Sequence, residues 1–289
     1  NTLFPYTTLF RSRRSRSMLK IDDNFRHAWS GRDIFRQLAT MEGQVYREKE
    51  GRRTFRFELD GETYFAKVFM GLGWKALLRA LLKFRKPVFS AENEWKAIAK
   101  LEQIGIDTMQ VVGLGKRGRN PARQESFIIT KELKPTISLE DLCRDWPTQP
   151  PSLHLKRALI ARVAEIARKL HDNGIVHRDL YLCHFLMDTG DAAAHLPNAA
   201  LRLYLIDLHR TERRRKMKER WRVKDVAGLY FSSMDIGLTQ RDRLRFIEAY
   251  RKRPWREAIA AEKHFWKRVV RRAHAGYREF RRKNPHLFQ

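Results

Sequence analysis

Ile175-Val176-His177-Arg178-Asp179-Leu180-Tyr181-Leu182-Cys183-His184-Phe185-Leu186-Met187 sets a charged triplet between two apolar runs. The pattern reads as a short strand, a sharp loop presenting a carboxylate, and a second short strand. Further on, Leu203-Tyr204-Leu205-Ile206 reads as another strand, and Asp207 ends it. Two acids presented at strand ends suit a reaction in which one activates a hydroxyl and the other holds a metal. The loop is placed by the segment before it. Leu153 to Asn173 carries Leu155, Leu159, Val163, Ile166 and Leu170 on one helical stripe, and Asn173-Gly174 stops the helix.

Upstream, the chain changes period. Phe25 to Met41 reads as a helical preface. Gln44 to Glu48, Thr54 to Leu59 and Thr63 to Phe69 then alternate apolar and polar residues around turns at Gly51 and Asp60-Gly61, the signature of an antiparallel meander. Lys67 lies inside the third of these strands, either on a solvated face or reaching the phosphates of a nucleotide under the sheet. Trp74 to Phe84 reads as a basic amphipathic helix with Lys75, Arg79 and Lys83 on one face, packed on the sheet or lying on an anionic membrane surface. After Pro87, Ser90 caps a helix from Ala91 to Leu101. Glu94 shares its apolar face with Ala91 and Ile98, and a carboxylate there wants a cation, for which Lys67 is the candidate. Glu92 fits better as a first-turn acid answering the helix dipole. Val111 to Leu114 and Ser126 to Thr130 are two more strands, joined by a basic surface loop from Lys116 to Arg123. Ser138 caps a short helix at Leu139 to Leu142.

The chain has 289 residues, 43% of them hydrophobic, enough for one large domain or two lobes. Lys and Arg number 60 against 33 Asp and Glu, a net charge of +27. Such an excess implies an anionic partner: nucleic acid, lipid, acidic protein or a phosphorylated substrate. Cys143 and Cys183 stand far apart in no metal-ligand spacing, which argues against a disulfide scaffold or zinc site and fits a reducing cytosol. Residues 1–17 read as a leader foreign to the domain, with Met18 as the expected start; a disordered basic arm is the alternative. Without Arg11, Arg13, Arg14 and Arg16 the remainder is still strongly basic.

Four parts stand in order: Lys67, Glu94, His177-Arg178-Asp179 and Ile206-Asp207. This order, with its strand and helix placement, resembles the protein-kinase fold. His177 to Leu186 and Ile206-Asp207-Leu208-His209-Arg210 are more specifically similar to the lipopolysaccharide core heptose(I) kinases of Gram-negative bacteria, the WaaP/RfaP family. Asn93-Glu94-Trp95 and Leu101 to Ile106 fit the same family. The resemblance implies an α+β, two-lobed protein-kinase-like fold. Residues 18–134 would form a small antiparallel-sheet lobe that binds nucleotide, and 135–289 a mainly helical lobe for catalysis and substrate binding. It implies ATP and Mg2+ as cofactors. Lys67, held by Glu94, would orient the phosphates, and the backbone around Glu132 and Leu133 would hold the adenine. Asp207 would hold the metal, with His184 as a second, poorer ligand. Asp179 would receive the acceptor hydroxyl, Arg178 would pair with a loop or phosphate group, and Asp225, opening a helix from Val226 to Ser232, would brace the catalytic loop. The acceptor implied is an anionic lipopolysaccharide precursor. The expected place is cytoplasmic, peripheral to the inner membrane, with an acidic protein such as acyl carrier protein as a further partner and no nucleic acid.

This sequence departs from protein kinases in several places. Glu50-Gly51-Arg52-Arg53 lacks Gly-x-Gly-x-x-Gly, so Arg52 or Arg53 would compensate with side-chain charge. Tyr181 stands where protein kinases often have lysine, and His184 where they have a metal-binding asparagine. Magnesium prefers oxygen ligands, so one ion held mainly by Asp207 is expected. The segment from Asp207 to Asp225 is short and carries no Ala-Pro-Glu, which suits a small or lipid-linked acceptor better than a protein. The run from Arg213 to Arg220 would then meet that acceptor's acidic groups, and the helical end from Gln240 keeps Arg271, Arg272, Arg281, Arg282 and Lys283 on a positive face. The alternatives are a kinase acting on protein, a pseudokinase scaffold, or a basic nucleic-acid-binding protein. The last leaves Lys67, Asp179 and Asp207 without a role.

Overall fold

In the computed structural model, residues 17–49, 51–71, 73–74, 90–120, 122–190 and 201–288 are described. The leader and most of the expected helix from Trp74 to Phe84 lie outside them. The chain divides into two compact units, Asn1–Ala99 with Met109–Leu133, and Lys100–Thr108 with Lys134–Gln289.

The first unit is built on a six-stranded antiparallel sheet. Its strands are β1 (Met18–Ile21), β2 (Gln44–Lys49), β3 (Arg52–Leu59), β4 (Glu62–Met70), β5 (Val111–Arg117) and β6 (Glu125–Lys131), in the order β1-β5-β6-β4-β3-β2. The expected preface is two helices, α1 (Asp23–Ala28) and α2 (Ile34–Thr40), because Asp33 breaks the run by accepting the amides of Phe35 and Arg36. Phe25 and Leu38 from these helices, and Trp29 just after α1, pack on Phe55, Phe57, Tyr64, Ala66, Phe127 and Ile129 of the sheet, forming the core of the unit. The expected surface loop from Lys116 is shorter than its composition suggested. Lys116 and Arg117 belong to β5, and their charges are answered there: Lys116 by Glu92, Arg117 by Asp33 and Glu125. Helix α3 (Glu92–Gln103) is entered through Ser90, whose Oγ accepts the Glu92 amide at 3.1 Å.

The second unit is mainly helical. Strand β7 (Thr136–Ser138) leads into α4 (Leu139–Leu142), which Ser138 caps by accepting the Asp141 amide. Helix α5 (Leu153–Asp172) buries Leu159, Val163, Ile166 and Leu170. Three short strands follow, β8 (Ile175–Val176), β9 (Phe185–Asp188) and β10 (Leu203–Leu205); β9 lies between β10 and β7, and β11 (Glu212–Arg213) pairs with β8. Helices α6 (Glu219–Ser232), α7 (Gln240–Arg251), α8 (Trp255–Ala261) and α9 (Lys263–Lys283) complete it. Residues 100–108 join this unit through specific bonds. The Leu205 amide donates to Asp107 O at 2.9 Å, Thr108 Oγ1 donates to Leu205 O at 2.6 Å, and Arg162 and Arg202 pair with the Asp107 carboxylate. Among the described residues no helix is long and apolar enough to cross a membrane.

Candidate active site

In the first unit, Lys67 occupies the middle of β4, opposite Thr54 on β3 and Ile128 on β6. Ala66 and Val68 turn into the core under α1 and α2, so alternation sends Lys67 to the other face. There its Nζ lies 2.5 Å from Glu94 Oε1 on α3, and Glu94 is only 2% exposed. Removing one member of a buried ion pair costs about 3–5 kcal/mol, so the pair locks α3 to the sheet as well as aiming the ammonium. Glu92 points elsewhere: hydrogen bonds from Lys116 and Lys96 hold its carboxyl below the usual value. The Glu132 amide is used within the sheet, donating to Thr63 O at 2.9 Å, and its carboxylate takes Arg56 at 3.2 Å; Leu133 ends the unit. Arg53, expected with Arg52 to offer charge to phosphate, has contacts within the unit. Its guanidinium donates to Met41 O at 2.8 Å and lies over the Phe55 ring. Arg52 lies over Phe69. Phe65, two residues before Lys67 on the same face, has its ring 5.5 Å from that of Tyr46.

In the second unit, the loop after β8 holds Arg178 at φ 76° and the residue after Ile206, Asp207, at φ 58°. Non-glycine residues in this region cost of order 1–3 kcal/mol each and persist only where the surroundings over-determine them. Asp225 supplies that constraint. Its fully buried carboxylate accepts the amide of His177 through Oδ2 and that of Arg178 through Oδ1, both at 2.8 Å. Asp225 does not open its helix as expected; α6 begins at Glu219, and the carboxylate projects from its middle. His171 Nε2 lies 3.3 Å from Asp225 Oδ2, while its Nδ1 meets the Tyr250 hydroxyl at 2.7 Å. His177 Nε2 donates to Ile206 O at 3.1 Å, tying the loop to the strand end that carries Asp207. Burial pushes the His177 imidazole below its ordinary value despite the nearby Asp225 charge, so it is a neutral clasp.

Asp179 is gripped by Arg210, whose Nη1 lies 2.8 and 2.7 Å from its two oxygens, and Lys224 Nζ stands 3.8 Å away. His184 Nδ1 lies 2.7 Å from the Asp179 carbonyl. A carbonyl only accepts, so Nδ1 carries the proton and Nε2 is left facing Asp207 Oδ2 at 3.6 Å. His209 Nδ1 takes the other Asp207 oxygen at 2.5 Å. Arg178 is used in the loop itself, its Nη1 2.7 Å from Glu212. Of the basic run, Arg214 pairs with Glu212, and Arg214 and Arg220 lie over Trp221. Burial raises both thiols, Cys143 to about 12 and Cys183 to about 11, so neither is a nucleophile near neutrality. Among the described residues no group of three or more His, Cys, Asp or Glu side chains is gathered as a metal site. The donor set still fits magnesium, which is commonly held by one or two carboxylates together with phosphates and water. Asp207 offers such a carboxylate, and the His184 imidazole beside it is a poorer donor for an ion that prefers oxygen. His171, Tyr250, Arg210 and Lys224 were not assigned roles from sequence.

A small antiparallel sheet with a Lys–Glu pair, and a helical unit with a braced His-Arg-Asp loop, define a kinase-like phosphotransferase. Residues 36–250 match the lipopolysaccharide kinase (Kdo/WaaP) family. The lipopolysaccharide core heptose(I) kinase WaaP of Escherichia coli K12 is 47% identical over 249 residues, spanning 85% of this chain and 91% of that protein. The lipopolysaccharide core heptose(I) kinase WaaP of Pseudomonas aeruginosa PAO1 is 47% identical over 246 residues, spanning 84% and 90%. A solved structure described as WaaP in complex with acyl carrier protein superposes with a TM-score of 0.77 at 42% identity, covering 90% of this chain and 99% of that one. The chain belongs to the lipopolysaccharide kinase (Kdo/WaaP) family.

The neutral His177 has a measurable consequence. The unfolded imidazole titrates near 6.5 and the folded one lower. As pH falls below about 6.5 the unfolded chain takes up a proton that the folded chain does not, so stability is lost toward the folded value, by up to about 1.4 kcal/mol per pH unit. Melting curves between about pH 7 and about pH 5 are expected to show this loss, with a shallower slope in His177→Gln. Parallel slopes in the two proteins would contradict a neutral His177.

Proposed function

We propose that the chain transfers the γ-phosphoryl group of ATP to the first heptose of the lipopolysaccharide inner core. The observation that carries this reading is the braced Asp179 loop, in a chain 47% identical over most of its length to heptose(I) kinases. Asp179 receives the hydrogen of the heptose hydroxyl and orients its oxygen. The bond from the γ-phosphorus to the β–γ bridging oxygen breaks, one from the heptose oxygen forms, and the hydroxyl proton passes to Asp179. Lys67, steadied by Glu94, binds the α- and β-phosphates, and the chain around Glu132 and Leu133 receives the adenine. Asp207 holds Mg2+, which when bound offsets the negative charge of the phosphates. The kinship with heptose(I) kinases disfavours the protein-kinase, scaffold and nucleic-acid readings.

The excess of +27 suits work at an anionic cytoplasmic membrane face, where a lipid-linked acceptor would be presented. An acylated acyl carrier protein is a further partner in this reading. The second unit contains an apolar cavity of about 250 Å3, lined by Leu159, Ile160, Val163, Leu229, Phe246 and Val269 among others, which has the chemistry to take an alkyl chain. Helix α9 beside it exposes Lys267, Arg271, Arg278 and Arg282, which suit an acidic protein.

Radiolabelled ATP with lipopolysaccharide lacking core phosphate tests the reaction. Label is expected on heptose with the wild type, and at least about a hundredfold less with Asp179→Ala. A folded wild type that places no label on heptose overturns the reading. For the partner, co-elution is expected with acylated carrier protein and not with the unacylated form; equal behaviour of the two would remove the role given to the cavity.

A further inference from the structure

Protein kinases often carry a lysine two residues after the loop aspartate, and here that residue is Tyr181. Its ring is committed to packing. The centroid lies 5.9 Å from that of Phe231, and Cε1 lies close enough to Gly228 that a Cβ there would meet it at 3.3 Å. A cation beside Asp179 comes instead from α6. Lys224 directly precedes Asp225, so the carboxylate that pins the His177 and Arg178 amides also fixes where the Lys224 backbone stands relative to the loop. Its Nζ ends 3.8 Å from Asp179 Oδ1, too far for a hydrogen bond.

Holding Asp179 does not require Lys224, because Arg210 already contacts both carboxylate oxygens. The Lys224 side chain is 20% exposed. Burial pushes its ammonium below the usual lysine range, Asp179 opposes that shift, and Arg210 and Arg178 add to it. The result is a partly desolvated cation, crowded by two guanidinium groups, at the carboxylate that meets the acceptor. Such a group gains from an incoming anion. In phosphoryl transfer the charge spread over the equatorial oxygens is what a positioned cation stabilises.

We propose that Lys224 is a catalytic residue that binds the transferring γ-phosphoryl group, supplying from α6 the lysine absent from the loop. The proposal rests on the phosphotransfer reading above. Lys224 neither gives up nor takes the transferred proton, which goes to Asp179; its ammonium stays charged and bonds to a γ-phosphoryl oxygen as the phosphorus passes from the β–γ bridging oxygen to the acceptor oxygen.

The test uses the full chain with Mg2+ and compares wild type, Lys224→Met and Lys224→Arg. Calorimetry measures the affinity of ADP and of a non-hydrolysable ATP analogue, and transfer to lipopolysaccharide gives kcat. Lys224→Met is expected to lose about tenfold or more in affinity for the analogue, the loss of one charge-assisted hydrogen bond, with ADP affinity unchanged. Its kcat is expected to fall about a hundredfold or more. Lys224→Arg should recover part of both losses. Thermal melting establishes that each variant is folded. A folded Lys224→Met with an unaltered preference for the analogue over ADP and unaltered kcat overturns the proposal. Equal weakening of both nucleotides also overturns it, since that marks a structural role. A wild type that binds neither nucleotide removes the proposed function itself, and this assignment falls with it.

Discussion

A carboxylate with no solvent exposure accepts two successive backbone amides: Asp225 takes those of His177 and Arg178. That arrangement is costly to build and hard to replace. A buried carboxylate needs its bonds, and the two amides, turned inward by the left-handed Arg178, need an acceptor. Each side satisfies the other, and the strain at Arg178 is held in place by the pair of bonds. His171 and Tyr250 extend the network into α5 and α7, so the loop is referred to three helices. The His177 clasp on Ile206 carries the constraint on to Asp207, itself in a left-handed conformation. Two acids far apart in sequence thereby obtain fixed backbones without any direct bond between their side chains.

The charge pattern around Asp179 follows from the same frame. Arg210 arrives one turn of chain after Asp207, at the end of a 3-10 segment, and Lys224 arrives one residue before the brace. Both are set by elements that Asp225 and His177 already position. The first unit uses a different device, one buried ion pair. Lys67 is aimed by strand alternation and Glu94 by helix period, and their 2.5 Å contact joins the sheet to α3 within the unit. In each unit, then, a buried acid fixes the group that faces substrate in the proposed reaction.

How much of this could be read beforehand depended on range. The α+β fold was legible through the resemblance carried by Lys67, Glu94, His177-Arg178-Asp179 and Asp207, and the antiparallel meander through its alternation and the Gly and Asp-Gly at its turns. The Lys67–Glu94 contact could be written down since Glu94 is an acid on an apolar helix face, which wants a cation, and Lys67 is the cation that the neighbouring strand offers. Strand β1 was not legible, being four residues long and paired with β5 far along the chain. The two-helix form of the preface depended on a single Asp33 cap. The extension of β5 through Lys116 and Arg117 depended on acids elsewhere in the fold that neutralise them. Arg53 looked available for phosphate because the carbonyls that hold it lie in another element. His171, Tyr250, Arg210 and Lys224 act through partners 31 to 79 residues away, and no local pattern reports such distances.

Asp225 makes the loop that carries Asp179 by holding two of its amides. Amide hydrogen exchange at His177 and Arg178, measured in the wild type and in Asp225→Asn beside phosphate transfer to lipopolysaccharide, tests it most directly. The account predicts slow exchange at both amides in the wild type, markedly faster exchange in a variant whose helices remain folded, and transfer lost in step. Fast exchange at both amides in the wild type, or a variant that exchanges and transfers as the wild type does, would contradict it.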